Sequence, residues 1–304
     1  MIKFSILITT KNRRDELNIT LRSLKQIMGR DDVELIVCDD GSNDGTYNYI
    51  KKEYPNIILL NNKKNIGLIA SRNRLLSETT AQYAIFLDDD AHFLSSTVLE
   101  TIETHFAENN NCGVIACRIF WGIQEPHSFR TLEKPLRVKG FVGCGHVWNM
   151  KAWRNIANYP EWYIFYGEEE YASYQLFKKG WQVHYLPDIL VHHRVAVKDR
   201  KKQNDYALRL RRSLRSGWYN YMLFLPLIKI PRKLFYTLFI QLKLKVFRGD
   251  LKAAIPILQA LWDLLVHLPL LLTESKRLTQ MEFKEYQNLA DTKIYWQPKE
   301  TTNA

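Results

Sequence analysis

The sequence lacks most features that mark secreted, zinc-binding or membrane-spanning proteins. Its 304 residues include only four cysteines, with no CxxC pair and no zinc spacing, so we expect the reduced thiols of a cytosolic protein. No apolar segment reaches the roughly 20 residues that cross a bilayer. The closest, residues 253–272, contains two prolines, an aspartate and a histidine. Met1 leads directly into a strand-like run, so no signal peptide is expected.

Two glycine-rich phosphate-binding motifs are also missing. Neither GxGxxG nor GxxxxGK[ST] occurs in the chain. The first cradles the pyrophosphate of a dinucleotide and the second the phosphates of a nucleoside triphosphate. Their absence argues against a dehydrogenase and against a P-loop enzyme.

Positive charge is concentrated in one segment. Residues 194–248 carry 8 Arg and 7 Lys against 2 Asp, a net charge of +13, whereas the whole chain has +11 and the remainder is close to neutral. This segment begins where the sequence motifs described below end. We therefore predict a first domain over residues 1–205 and a basic, amphipathic helical region over residues 206–304.

Four apolar segments alternate with helical patterns in the first ninety residues. We predict strands over residues 4–8, 34–38, 57–60 and 83–87. This alternation predicts an α/β fold with a mostly parallel sheet flanked by helices. Ligands of such sheets bind beyond the carboxyl ends of the strands. Thr9, Asp40 and residues 88–90 follow strand ends, so we expect them to line one crevice.

The most informative stretch is residues 85–92, where three apolar residues run into three consecutive aspartates. Adjacent carboxylates repel, and a divalent cation with oxygen ligands is the usual reason for a fold to hold them together. The ligand spacing of an EF-hand is absent. A solvated acidic turn is the alternative, and the triplet alone does not decide between the two.

Residues 5–13, 37–42 and 86–90 resemble the three N-terminal signatures of family-2 inverting glycosyltransferases of the GT-A fold. The resemblance implies a nucleotide-diphosphate sugar as donor and a divalent metal, Mn2+ or Mg2+, as cofactor. It implies that Thr9 and Asp40 contact the nucleoside and that Arg72 contacts the nucleotide. It also implies that Asp88 contacts the ribose, that Asp89 belongs to the donor site and that Asp90 ligates the metal.

The acceptor side resembles the same family. Residues 143–146 resemble its glycine-bearing acceptor loop, and Gly167-Glu168-Glu169 stands where the family usually has Gly-Glu-Asp. The resemblance makes Glu169 the general base, with a side chain one methylene longer than the usual aspartate. Gln175 occupies a position where the family often has arginine. The alternative is that the three glutamates at 168–170 only stabilise a helix N-terminus.

Two strands are predicted next, over residues 182–187 and 189–193, and the second ends in two histidines. Family members commonly end this strand in a histidine that ligates the metal or the diphosphate. Counting from Pro187 favours His193, with His192 as the alternate, because strand alternation turns only one of them toward the site. A surface histidine is the alternative for each.

These observations predict an inverting glycosyltransferase in which Glu169 deprotonates the acceptor hydroxyl. A glycan or lipid-linked glycan as acceptor is implied by the resemblance only. One rival is a non-catalytic nucleotide-sugar-binding protein. A nucleic-acid-binding protein is a weaker rival, because the basic segment is rich in Leu, Ile and Phe and lacks a known reading motif; no nucleic acid is expected as a partner.

The basic region is predicted to dock on the anionic cytoplasmic face of the cell membrane without crossing it. A helix from Lys233 would separate a polar stripe from an apolar face. The stripe comprises Lys233, Thr237, Gln241, Lys245 and Arg248, and the face comprises Leu234, Phe235, Leu238, Phe239, Leu242 and Val246. Trp218, Tyr219 and Tyr221 suit the same interface. Alternatively, the apolar face packs on the catalytic domain or on a second subunit of a homo-oligomer.

Overall fold

The structure is a computed structural model that describes residues 1–196 and 205–298. The strands are β1 (Phe4–Thr10), β2 (Val33–Asp39), β3 (Ile58–Asn61), β4 (Tyr83–Asp88), β5 (Ala91–Phe93), β6 (Cys112–Trp121), β7 (Leu136–Val138), β8 (Gly145–Asn149) and β9 (Gln182–His193). The helices up to residue 178 are α1 (Arg14–Ser23), α2 (Lys25–Met28), α3 (Thr46–Glu53), α4 (Leu68–Glu78), α5 (Val98–Glu108), α6 (Met150–Trp153) and α7 (Glu168–Lys178). Those beyond residue 205 are α8 (Tyr206–Phe224), α9 (Ile230–Leu244), α10 (Ala254–Val266), α11 (Leu268–Thr273) and α12 (Gln280–Asn288).

All nine strands form one sheet in the order β3-β2-β1-β4-β8-β6-β9-β5, with β7 on β9. Strands β1 to β4 are parallel, which confirms the predicted α/β fold. Strand β8 runs antiparallel to both β4 and β6. The two strands predicted over 182–187 and 189–193 are one strand, β9, because a register shift opposite Cys117 and Arg118 absorbs the irregularity without ending the pairing.

The strands are apolar on both faces because helices cover both faces. In β1, Leu7 joins the core cluster on one side of the sheet, and Ile6 and Ile8 join the cluster on the other. This follows from the period of two along a strand, which sends neighbouring side chains to opposite faces. Burying each such side chain contributes about 1.5–3 kcal/mol. The two cores hold the carboxyl ends of β1, β2 and β4 at one edge.

The segment beyond residue 205 packs onto the core of the first half. Trp218 and Phe224 of α8 share one hydrophobic cluster with Tyr174 of α7. Trp218 and Tyr219 are buried, so the prediction that they lie at a membrane interface is wrong. The Trp218 indole donates a hydrogen bond to Thr237, and the Tyr219 hydroxyl bonds to His267 and to the Asp263 carbonyl. Both polar groups are therefore satisfied inside the protein. The division of the chain at residue 205 stays a prediction.

Helix α9 is oriented differently from the predicted amphipathic helix. Thr237, placed on the predicted polar stripe, accepts a hydrogen bond from Trp218 Nε1 at 2.9 Å. Leu234 and Leu238 pack against the core, whereas Phe235 and Phe239 are exposed. The prediction assigned the wrong face of α9 to the protein interior, because α8 supplies a polar partner, Trp218, to the face that carries Thr237. No helix in the described ranges is both long and apolar enough to cross a bilayer.

Candidate active site

The polar residues after β1, β2 and β4 meet at one edge of the sheet, as the parallel order requires. Thr9 is paired with Cys38 on one side and with Asp88 on the other. The expected crevice therefore brings together the loops after three strands. Its far wall is formed by the end of β9 and by the loop that precedes β8.

The three consecutive aspartates point in different directions. Asp88 faces Arg72, with Oδ1 at 3.1 Å from Nη2. Asp89 accepts from Thr10 Oγ1 at 2.8 Å and pairs with Arg13 Nε at 3.0 Å. Burial raises the pKa of Asp89 to about 8, against the opposing charge of Arg13. The Asp89 carboxylate is thus bonded to protein groups, and its place in the donor site stays a prediction.

Asp90 is buried between two cationic groups. Arg13 Nη2 donates to its Oδ2 at 2.5 Å, and His193 Nε2 lies 3.0 Å from its Oδ1. Burial favours the neutral acid, but the hydrogen bond and charge of His193 and the charge of Arg13 outweigh it and hold the pKa of Asp90 below its usual value. Asp90 is therefore ionised, as a metal ligand must be, whereas His193 would have to release its proton before its nitrogen could bind a metal.

The two histidines at the end of β9 face opposite sides, as strand alternation predicts. His193 Nε2 lies 3.8 Å from Asp88 Oδ2 and close to Asp90, and the residue is 5% exposed. Its Nδ1 has no hydrogen-bond partner among the described residues. His192 instead lies against Phe120, with Nε2 at 2.7 Å from the Gly122 carbonyl. His193 is thus the histidine beside the aspartates, and its metal role stays a prediction.

The donor atoms at this position fit a divalent cation. His193 Nε2 lies 3.8 Å from a carboxylate oxygen of Asp88 and 3.0 Å from one of Asp90, and donor atoms of Asp88 and His193 lie within 4.8 Å of each other. Hard oxygens with one nitrogen are a ligand set that Mn2+ and Mg2+ accept. His193 Nδ1 is buried and has no hydrogen-bond partner among the described residues, which is uncommon for a buried polar atom.

Arg72 of α4 links the aspartates to the acceptor side. Its Nη1 donates to Glu168 Oε1 at 2.8 Å, and its Nη2 donates to Asp88 and, at 3.0 Å, to the Gly143 carbonyl. Burial alone would lower its pKa, but the charges of Asp88, Glu168 and Glu169 outweigh burial and raise it. The guanidinium thus contacts carboxylates on both sides of the site, and the predicted contact of Arg72 with the nucleotide stays a prediction.

Glu168 and Glu169 start α7 but differ in environment. Glu168 is 1% exposed, and burial together with the charge of Glu169 raises its pKa. The Glu169 side chain is 24% exposed and lies 3.6 Å from Arg72 Nη1. Glu170 turns away and accepts a hydrogen bond from Asn220 at 3.0 Å. Glu169 is therefore partly exposed beside Arg72, whereas Glu168 is buried. Gln175 bonds to the backbone of Ala157.

Asp39, the last residue of β2, and Asp40, which follows it, have different hydrogen-bond partners. Asp40, predicted to contact the nucleoside, accepts hydrogen bonds from the backbone N–H of Ile66 at 2.8 Å and of Gly67 at 3.0 Å. Asp39 accepts from Ser42 N, and its Oδ2 is buried without a partner among the described residues. A buried carboxylate oxygen without a donor is uncommon. Sequence reasoning missed Asp39, although its position at the end of β2 was the available signal.

The chain belongs to glycosyl transferase family 2, because the family's sequence profile matches residues 5–172. This membership and the fold agree with the resemblance seen in the sequence.

Several characterised proteins are similar to parts of the chain. Poly(ribitol-phosphate) beta-N-acetylglucosaminyltransferase TarP of Staphylococcus aureus is 38% identical over 115 residues, which cover 36% of this chain and 35% of TarP. The UDP-Glc:alpha-D-GlcNAc-diphosphoundecaprenol beta-1,3-glucosyltransferase WfaP of Escherichia coli is 33% identical over 105 residues, or 34% of this chain and 41% of WfaP. The chain therefore spans less than half the length of either relative.

A solved structure supports the fold. The mannosyltransferase PcManGT of Pyrobaculum calidifontis, in complex with GDP-Man and Mn2+, superposes with a TM-score of 0.56 at 17% identity. The superposition covers 72% of this chain and 63% of that protein.

Proposed function

We propose that this chain is a metal-dependent inverting glycosyltransferase that moves a sugar from a nucleotide diphosphate to a hydroxyl of a glycan or lipid-linked glycan. The observation that carries the proposal is the accessible carboxylate of Glu169 beside the Asp88, Asp90 and His193 cluster. The name of WfaP, whose acceptor is a diphosphoundecaprenol-linked sugar, and that of TarP, a poly(ribitol-phosphate) transferase, support the acceptor class.

The residues present support a single displacement. Glu169 accepts the proton of the acceptor hydroxyl as that oxygen attacks the anomeric carbon, and the nucleoside diphosphate leaves from the opposite face. Asp88, Asp90 and His193 would hold the divalent metal, which when bound neutralises charge on the leaving diphosphate. PcManGT was solved with Mn2+, which supports a divalent ion here. The partnerless Oδ2 of Asp39 would accept an N–H of the nucleobase.

A panel of nucleotide sugars tests this proposal. Full-length protein should release nucleoside diphosphate from one donor in the presence of Mn2+ or Mg2+, and chelator should abolish the release. Binding raises thermal stability only for the ligand that fits the folded protein, so melting temperatures identify the donor independently. If a donor raises the melting temperature but no added metal supports its turnover, the result would instead favour a non-catalytic nucleotide-sugar-binding protein.

We propose further that the region after residue 226 docks on an anionic membrane surface. Large apolar side chains of this region are exposed next to exposed basic residues. The apolar ones are Leu227, Ile228, Phe235, Tyr236, Phe239, Leu244, Phe247, Leu251, Ile255, Leu258, Trp262, Leu265, Val266, Leu270 and Leu272. The basic ones are Lys229, Arg232, Lys243, Arg248 and Lys252. Soluble monomers seldom expose so many large apolar side chains along consecutive helices.

The charge distribution favours a lipid surface over a second copy of the chain. Each Lys or Arg near an anionic leaflet contributes about 1 kcal/mol, and insertion of apolar side chains adds to this. A second copy would bring like charges together on the same face, which costs free energy at low salt. The docking proposal therefore predicts a salt-sensitive interaction.

Flotation with liposomes tests the docking. Full-length protein should float with vesicles containing anionic lipid at low salt and release in part at high salt. Phe235→Glu and Trp262→Glu should reduce flotation, whereas Met281→Glu, at an equally exposed methionine of α12, should not. A wild-type protein that ignores anionic vesicles and runs as a monodisperse dimer would make this surface an oligomer interface.

A further inference from the structure

Cys144 lies directly across the sheet from Asp88. The antiparallel pairing of β4 and β8 places Leu87 opposite Gly145, so the next pair toward the active-site edge is Asp88 and Cys144. The backbone N–H of Asp88 donates to the Cys144 carbonyl at 3.4 Å. Residues opposite each other on antiparallel strands project to the same face, about 4.5–5.5 Å apart at Cβ. The thiol therefore belongs to the aspartate side of the sheet.

Three different donor atoms meet at this position. Cys144 Sγ, a carboxylate oxygen of Asp88 and a ring nitrogen of His193 all lie within 4.8 Å of one another. Cys144 is 3% exposed and His193 is 5% exposed. His193 Nδ1 has no hydrogen-bond partner in the part of the chain that the structure describes. The thiol is thus not isolated, because the buried imidazole of His193 lies beside it.

We propose that Cys144 is a ligand of the metal centre and gives it affinity for thiophilic divalent ions such as Zn2+ and Co2+. The inference rests on the metal site of the proposed function, to which it adds a fourth residue beside Asp88, Asp90 and His193. When the sulfur–metal bond forms, the thiol proton passes to solvent and no atom changes oxidation state. Thiolate sulfur prefers softer ions, whereas carboxylate oxygens suit Mg2+ and Mn2+.

A mixed sulfur, nitrogen and oxygen site changes which ions compete for it. Affinities of divalent ions for such sites generally rise from Mn2+ through Co2+, and Zn2+ also exceeds Mn2+. Zn2+ should therefore displace Mn2+ from the protein at low concentration. Removing the sulfur should weaken Zn2+ binding much more than Mn2+ binding, because Mn2+ depends mainly on the carboxylates.

Cobalt spectroscopy tests the proposal without any measurement of turnover. Metal-free full-length protein is titrated with Co2+, and the thiolate-to-cobalt charge-transfer band in the near ultraviolet is recorded. Wild type and Cys112→Ser should show the band, and the Cys112→Ser control excludes a contribution from a second group of possible metal ligands, Cys112 with His105 and His184. Cys144→Ser should lack it. In a chelator competition, Cys144→Ser should lower Zn2+ affinity by about tenfold or more, with a smaller change for Mn2+.

Two results would overturn the proposal: a wild type that binds Mn2+ without any charge-transfer band with Co2+, or a band that persists in Cys144→Ser. The wild-type spectrum decides even where the serine variant fails to fold, and Cys144→Ala with near-ultraviolet circular dichroism gives a second folded reference. A wild type that shows metal-dependent donor turnover but no band would refute the cysteine ligand alone. A normal band in a protein that turns over no donor would refute the glycosyltransferase proposal alone.

Discussion

Replacing Arg72 by leucine removes the cation at the centre of the site. The guanidinium is buried and contacts Glu168 at 2.8 Å, Asp88 at 3.1 Å and the Gly143 carbonyl at 3.0 Å. Glu168 is buried too and burial already raises its pKa, so Arg72→Leu leaves its carboxyl group without the donor and counter-charge that favour ionisation. Removing one partner of a buried ion pair costs about 3–5 kcal/mol of unfolding free energy. In a chain of this size, that corresponds to a fall in melting temperature of about 5–10 °C.

A double-mutant cycle separates the ion pair from other effects. Arg72→Leu/Glu168→Leu removes both charges, so it should recover most of the lost stability, with a coupling free energy of at least about 2 kcal/mol. Arg74→Leu is the matched control, two positions along α4, because Arg74 bonds to the Asn61 carbonyl and has no carboxylate partner in the described segments. Arg74 also donates to the Asn62 side-chain oxygen, so the loss of two hydrogen bonds should cost about 1–3 kcal/mol, and no carboxylate loses its counter-charge.

Denaturant unfolding of wild type, Arg72→Leu, Glu168→Leu and the double variant gives the coupling free energy. Arg72→Leu within about 1 kcal/mol of wild type would refute the reasoning, because the substitution removes the donor of three hydrogen bonds in a buried site. Additive effects of Arg72→Leu and Glu168→Leu would refute it equally, since the cycle would then contain no pair interaction.

Three further predictions concern the same site. Gly143→Ala should lower transfer, because its Cβ would collide with the Glu169 carboxylate and the Arg72 guanidinium, while Gly217→Ala, which meets nothing within 4 Å, should leave transfer unchanged. His193→Ala should weaken metal-dependent donor binding more than His192→Ala, and calorimetry showing the reverse order would transfer the role to the other histidine. Asp90→Asn should abolish metal-dependent turnover while the protein stays folded by circular dichroism, and full turnover in this variant would exclude its carboxylate as a metal ligand.

Local patterns predicted the fold well because they act within one segment. The apolar runs that became β1, β2 and β4 each end in polar residues, and parallel order alone brings those ends to one edge. The opposite orientations of His192 and His193 follow from strand alternation in the same way. Periodicity is a property of consecutive residues, so these features required no knowledge of distant partners.

Features that depend on pairing between distant segments could not be predicted. Cys144 faces Asp88 only because β8 pairs antiparallel with β4, and a single sequence does not reveal that register. Arg13 engages Asp89 and Asp90 across a loop for the same reason.

The outer face of α9 was predicted wrongly because both of its faces carry apolar residues. Packing against α8 decided which of them is buried: Leu234 turns inward and Phe235 outward. Periodicity identified the helix, but the choice of its buried face needed the position of α8.

The role of Glu169 as general base is tested by replacing each of the three glutamates at the start of α7 with glutamine. Nucleoside diphosphate release and donor affinity are measured for Glu169→Gln beside Glu168→Gln and Glu170→Gln. The amide cannot accept a proton, so Glu169→Gln should bind donor as wild type does yet lose turnover by about 10²-fold or more, while the two neighbours lose less. Full turnover in Glu169→Gln, or an inactive Glu168→Gln beside an active Glu169→Gln, would contradict the claim.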